Sequence, residues 1–141
     1  EDEVELAPMI EEIYTDLAPV AEEKGVSLKC EGNARMIGSD TLVYRMLFNL
    51  TENAIRYNRP DGTVTISITG DERLIQLRVA DTGFGIPEQY RVDKSRSREH
   101  GGVGLGLSLV WEIAALHGGA VTVEESSEAG TVVLVTLRRQ I

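Results

Sequence analysis

The sequence predicts an α+β fold, a two-layer α/β sandwich whose mixed, mostly antiparallel sheet carries three helices on one face and a lid loop. Three observations lead there. Residues 63–68 and 74–79 alternate strictly between apolar and polar side chains, the mark of half-buried strands. Three other stretches place apolar residues at helical spacing. The resulting order is β-α-β-β-α-β-β-loop-α-β-β, which calls for a sheet with helices packed against it.

Val4 and Leu6 flank a charge and predict a short leading strand. Pro8 suits the first turn of a helix. Ile10, Ile13, Leu17 and Val20 continue that helix to Lys24, with Gly25 as its stop. Val26 to Cys30 and Arg35 to Ile37 read as short strands. Ser39 or Asp40 caps a second helix, which runs to about Tyr57 and closes in Asn58-Arg59-Pro60-Asp61-Gly62. The alternating pair, Thr63–Ile68 and Leu74–Val79, is joined through Gly70-Asp71-Glu72-Arg73 as a β-hairpin. Residues 82–104 are glycine-rich and charged with no periodicity, a loop long enough to carry function. Leu105 to His117 is a third helix with Leu105, Leu109, Ile113 and Leu116 on one stripe, ended by Gly118-Gly119. Val121–Val123 and Thr131–Leu137 form a closing hairpin. Cys30 is expected as a small core residue.

Composition bounds the function. The 141 residues, 42% hydrophobic and 26% charged, describe one globular domain spanning 1–141. A net charge of −9 excludes the basic footprint that nucleic acid demands and disfavours contact with an anionic membrane. The single cysteine rules out an internal disulfide, and no apolar run approaches the roughly 18 residues of a membrane helix. Glu1-Asp2-Glu3 lacks signal-peptide character.

Three segments carry candidate chemistry. On helix two, Asn49, Asn53, Arg56 and Tyr57 fall within an arc of about 100°, beside the core stripe of Val43, Leu47, Leu50 and Ala54. A carboxamide oxygen is a hard neutral ligand suited to Mg²⁺, and an arginine one turn on can reach phosphate; the plainer reading is a solvated outer face. Asp81-Thr82-Gly83-Phe84-Gly85-Ile86-Pro87 leaves an alternating strand. Its carboxylate can accept from the exocyclic amine of adenine, and its glycines let backbone approach a flat ring; an ordinary Asx turn is the alternative. Gly101-Gly102-Val103-Gly104-Leu105-Gly106-Leu107 opens helix three, where exposed backbone N–H groups favour phosphate. No Lys-Ser or Lys-Thr follows, so this is no P-loop, and no strand precedes it as a Rossmann turn requires.

In this order and spacing the three segments resemble the N, G1 and G2 boxes of the ATP-binding catalytic domain of sensor histidine kinases, within the superfamily of DNA gyrase, Hsp90 and MutL. The resemblance covers nearly the whole chain and implies the Bergerat ATP-binding fold. It implies that Asn53 coordinates the Mg²⁺ bridging the phosphates of ATP, with Asn49 beside it. Arg56 matches the position that contacts phosphate, and Tyr57 the aromatic that lines the pocket. Asp81 would accept from the adenine amine, while Gly83, Gly85 and Ile86 shape the base pocket. Gly102, Val103, Gly104, Leu105, Gly106 and Leu107 would form the phosphate side, and Thr131 would reach the adenine. Lys94, Arg96 and Arg98, with Arg91, concentrate positive charge in the lid of about residues 87–104. Glu52 could serve as a general base by analogy with superfamily ATPases, or be a solvated glutamate.

The family's reaction transfers the ATP γ-phosphoryl group to a histidine on a dimerisation domain. The implied partners are therefore that dimerisation (phosphoacceptor) domain and a response regulator. The implied setting is the cytoplasmic part of a membrane-anchored bacterial sensor, with this domain monomeric on its own and making no membrane contact. An ATPase clamp of the gyrase, Hsp90 or MutL type usually has Glu four residues before the metal-binding Asn; Asn49 stands there instead. A non-catalytic adenine-nucleotide module is the third reading.

Two features depart from the pattern. The lid lacks the Phe-containing segment that usually precedes Tyr-Arg-x-Asp-Lys, here Tyr90-Arg91-Val92-Asp93-Lys94. No phosphoacceptor is present: His100 falls in the lid and His117 ends helix three in a structural role. Trp111, off the helix-three stripe, is expected to be half-buried or to meet the dimerisation helices.

Overall fold

A computed structural model describes residues 2–83, 107–127 and 130–140, with the backbone alone at Leu107 and 125–127. Its elements follow the expected order: β1 (Asp2–Glu5), α1 (Leu6–Lys24), β2 (Ser27–Glu31), β3 (Arg35–Gly38), α2 (Asp40–Arg56), β4 (Thr63–Gly70), β5 (Leu74–Asp81), α3 (Leu107–Leu116), β6 (Ala120–Ser127) and β7 (Gly130–Arg138). Five strands form one mixed sheet in the order β2-β4-β5-β7-β6. Among the described strands only the β2–β4 pair is parallel; the other pairs are antiparallel. β1 and β3 pair antiparallel as a separate ribbon. It is joined to the sheet through Arg139, whose carbonyl accepts from Ile37 N at 2.7 Å and whose guanidinium donates to Arg35 O at 3.1 Å.

Alternation along the strands gives the sheet a single core face. Val64, Ile66 and Ile68 on β4, Ile75, Leu77 and Val79 on β5, and Val133, Val135 and Leu137 on β7 are buried. The three described helices lay their own apolar residues on it, including Ile10, Ile13 and Leu17 of α1 and Val43, Met46, Leu47 and Leu50 of α2. Gly25 ends α1 in the left-handed conformation at φ 79°, as a helix stop should. Ser39 is the α2 cap, its Oγ accepting from Leu42 N at 3.2 Å. α1 has no side-chain cap of its own; Asn33 in the β2–β3 turn accepts from Ala7 N at 2.9 Å instead.

Several expectations are corrected. Leu6 opens α1 rather than closing a strand, because it is fully buried under the helix and its N–H bonds Ala34 O. Val20 is 47% exposed; the buried stripe runs through Leu17 to Ala21 and passes it by one residue. In α3 the buried positions are Val110, Ile113, Ala114 and His117, while Leu116 is 63% exposed and Leu109 only half-buried; Leu105 lies outside the described residues. His117 displaces the expected leucine stripe because its ring is fully bonded. Nδ1–H donates to Ile113 O at 2.8 Å and Nε2 accepts from Ser39 N at 3.1 Å, so its burial leaves no orphaned polar atom. Cys30 sits at the rim of the core, half-buried, and burial pushes its thiol up. Trp111 is partly buried against the core. Among the described residues no helix is long and apolar enough to cross a membrane.

Candidate functional site

The site grows from two chain ends that the fold brings together: the last turn of α2 and the exit of β5. Strand β5 runs two residues past the alternating stretch, so Asp81 is still a ladder residue, opposite Val64 on one side and Thr131 on the other. This position limits what its carboxylate can do. One oxygen, Oδ1, accepts from Gly83 N at 2.9 Å and Thr131 N at 3.3 Å. Burial raises the Asp81 pKa above the usual carboxylate value, against the lowering pull of those two N–H bonds. Thr131 is itself buried, at 3% exposure.

Tight packing at this exit demands glycine. A side chain at Gly83 would place Cβ 2.3 Å from Tyr57 O, and one at Gly130, where φ is 136°, would come within 2.0 Å of Asp81 O. Both obstacles are backbone. Gly83→Ala is therefore expected to force β5 away from α2, lowering stability by about 1–3 kcal/mol and weakening nucleotide binding. Thermal melting and a nucleotide titration on the same sample check both effects.

On α2, Tyr57 is the C-cap and donates its N–H to Asn53 O at 3.0 Å, which puts Asn53 one turn earlier on the same side. Asn49 lies a further turn back, and both asparagines are half-buried. Asn53 Nδ2 is buried and has no hydrogen-bond partner among the described residues. An orphaned carboxamide of this kind is costly unless a ligand completes it. Glu52 and Arg56 face each other instead, Arg56 Nη2 lying 3.7 Å from Glu52 Oε2. An exposed pair at this spacing is worth only about 0.3–0.5 kcal/mol, so it would yield readily to a charge-assisted contact with phosphate.

One residue was missed as a participant. Asn58, expected only to help close α2, is fully buried and bonds across the site. Its Nδ2 donates to Thr63 O at 2.9 Å, while its Oδ1 accepts from Arg59 N at 2.8 Å and from Thr82 Oγ1 at 3.1 Å. The signal available in the sequence was an asparagine directly after the last aromatic of the helix.

Asn53, Tyr57, Asp81, Gly83 and Thr131 are thus gathered at one end of the sheet, with Asn49, Glu52 and Arg56 along the same helix. Leu107 is the first residue of α3. Gly85, Ile86, Lys94, Arg96, Arg98, Gly102, Val103, Gly104, Leu105 and Gly106 lie outside the described residues. Among the described residues no cluster of three His, Cys, Asp or Glu side chains could hold a metal unaided. A Mg²⁺ here would need ligands from the nucleotide, which suits a carboxamide-based site, since Mg²⁺ is commonly bound through few protein ligands plus substrate phosphates.

Comparisons with known proteins bear on the fold and the family. Residues 38–141 match the family described as histidine kinase-, DNA gyrase B-, and HSP90-like ATPase. The sensor histidine kinase RppB of Synechocystis sp. is 34% identical over 94% of this chain and 31% of its own length. The sensor histidine kinase CusS of Escherichia coli O157:H7 is 32% identical over 95% of the chain and 30% of its own. This chain therefore spans about a third of the length of those relatives. The solved catalytic domain of the histidine kinase ThkA superposes with a TM-score of 0.85 at 25% identity, covering 99% of this chain and 97% of that one. Because that family match covers most of the chain, the chain belongs to the histidine kinase-, DNA gyrase B- and HSP90-like ATPase family.

Proposed function

We propose that this chain is the ATP-binding catalytic domain of a sensor histidine kinase, which binds Mg-ATP and passes the γ-phosphoryl group to a histidine on a separate dimerisation domain. The observation that carries the nucleotide reading is Asp81: a half-buried carboxylate with one oxygen held by two backbone N–H groups, set beside a helix whose Asn53 Nδ2 has no partner among the described residues. The second oxygen of Asp81 takes the adenine amine. Asn53, with Asn49 beside it, holds the Mg²⁺, which when bound neutralises charge on the terminal phosphates. Arg56 leaves Glu52 for a phosphate oxygen, and Tyr57 and Thr131 close the base pocket. Lys94, Arg96 and Arg98 add positive charge from the lid.

In the transfer, the bond between the γ-phosphorus and the bridging oxygen breaks and ADP leaves. A phosphorus–nitrogen bond forms to the imidazole, which gives up its N–H proton. Positioning and charge neutralisation supply most of the catalysis in such a step. Asn49, standing where the clamp ATPases place a water-activating glutamate, supports transfer over hydrolysis. A response regulator would then receive the phosphoryl group, and a cytoplasmic setting follows from the need for ATP. What supports a shortened lid is the sequence itself, which goes from Pro87 to Tyr90-Arg91-Val92-Asp93-Lys94 without the Phe-containing segment usual in the family.

The test is transfer in trans. Labelled ATP, Mg²⁺, this chain and the dimerisation domain of its own parent are expected to yield label on the acceptor histidine. Steady phosphate release without labelled acceptor would identify a clamp-type ATPase instead.

A further inference from the structure

The two ends of the nucleotide site are held together by a hydrogen-bonded joint of which only Thr82 lies within one of the recognised boxes. Asn58 follows Tyr57 on the α2 side, and Thr82 stands between Asp81 and Gly83 on the β5 side. Thr82 Oγ1 donates to Asn58 Oδ1 at 3.1 Å and accepts from Thr63 N at 2.9 Å. Thr63 O in turn accepts from Asn58 Nδ2 at 2.9 Å and from Thr82 N at 3.2 Å. Both backbone polar groups at the start of β4 are therefore spent on the joint. The space around it is closed: a Cβ at Gly62 would lie 2.1 Å from Asn58 Oδ1, and one at Gly83 would lie 2.9 Å from Asn58 Cα.

We infer that Asn58, acting through the Thr82 hydroxyl, is a positioning residue that fixes the adenine acceptor Asp81 against the helix that carries Asn53. The inference rests on the nucleotide-site reading above. Asn58 touches neither base nor phosphate in that reading; it sets the separation between the group that takes the base and the group that meets the phosphates. Each arm of the joint is one residue away from a site residue, so movement at the joint passes directly to the Asp81 carboxylate. Misplacing a recognition group by about 1 Å is enough to lose much of what it contributes.

The joint is asymmetric in exposure, and this makes it testable. Asn58 is fully buried, whereas Thr82 is exposed, so water can satisfy Thr63 N if the Thr82 hydroxyl is removed. Thr82→Val should accordingly fold, with a melting temperature within about 3 °C of the parent. The measurement is the ratio of affinities for Mg-ATP and Mg-GTP by calorimetry, for the parent, Thr82→Val, Thr82→Ser and Asn58→Ala, with melting temperature recorded for each. Thr82→Val and Asn58→Ala are expected to lower the ATP-over-GTP ratio at least about fivefold, and Thr82→Ser, which restores the hydroxyl, to return it to within about twofold of the parent. A purely structural role would move melting temperature and leave the ratio alone. A folded Thr82→Val with the parent's ratio overturns the inference while leaving the nucleotide site intact. A parent that binds neither nucleotide overturns the site reading, and the joint's role with it.

Discussion

Replacing Asp81 by Asn is expected to weaken ATP binding by about 10- to 100-fold, the equivalent of losing one hydrogen bond to a charged group, and to abolish the preference for ATP over GTP. The substitution is nearly isosteric, and an asparagine Oδ1 can still accept from Gly83 N and Thr131 N as the aspartate does. The other terminal atom becomes an NH₂ group, which would meet the adenine amine donor to donor. The same NH₂ could donate to the O6 of guanine, so the preference should fall to parity or reverse. Calorimetric titration with each nucleotide reads the change directly.

The pH dependence follows from the same residue. Burial raises the pKa of Asp81 in the folded chain above its unfolded value. Protonation therefore favours the folded form, and that contribution to stability is present at low pH and lost as pH rises through the folded value. At neutral pH the half-buried carboxylate is a cost to folding, so Asp81→Asn should leave the melting temperature unchanged or raise it. Binding runs the other way. The carboxylate must be ionised to accept from the amine, so ATP affinity should decline on acidification at a milder pH than an ordinary aspartate would give. In Asp81→Asn this acid limb should flatten.

Replacing Asn53 by Ala is expected to reduce Mg-ATP affinity by more than the roughly 10- to 100-fold that loss of an outer metal-shell partner costs. Stability should change little, or improve slightly. The reason is the buried Nδ2, which has no partner among the described residues: deleting it removes a desolvation penalty rather than a hydrogen bond to any of them. Helix propensity works in the same direction, since Ala is the better helix former. Affinity measured with and without Mg²⁺ separates a metal role from a direct phosphate contact. Metal-free ATP should bind mutant and parent alike, with the difference confined to Mg-ATP. Equal Mg-ATP affinities would remove Asn53 from the site.

Much of this was legible in the sequence because it rests on local chemistry. The strict alternation of 63–68 and 74–79 placed β4 and β5, and a carboxylate followed two residues later by glycine marked the β5 exit. Gly25 and Ser39 acted as stop and cap because those roles are set by one residue's own backbone or side chain. What depended on tertiary partners was not legible. The α3 stripe was misplaced because a histidine with both ring nitrogens bonded can be buried as well as a leucine, and its partner Ser39 is 78 residues away in sequence. Val20 fits a helical period but falls at the edge of the face that α1 presents to the core. The separate β1–β3 ribbon depends on pairing and on the Arg139 contacts, which no periodicity reveals. Asn58 read as turn chemistry because its bonds to Thr63 and Thr82 exist only after β4 and β5 have paired.

In the proposed function, α2 and the β5 exit form a single nucleotide site, with the base at Asp81 and the phosphates at Asn53. A calorimetric titration of this chain with Mg-ATP and with Mg-GTP, repeated on Asp81→Asn and Asn53→Ala, tests it most directly. The chain is expected to show one saturable site and a clear preference for ATP. Asp81→Asn should erase that preference, while Asn53→Ala should lose affinity for both nucleotides alike and retain the ratio. Parent binding that shows no base preference, or two variants with the same pattern of loss, would contradict it.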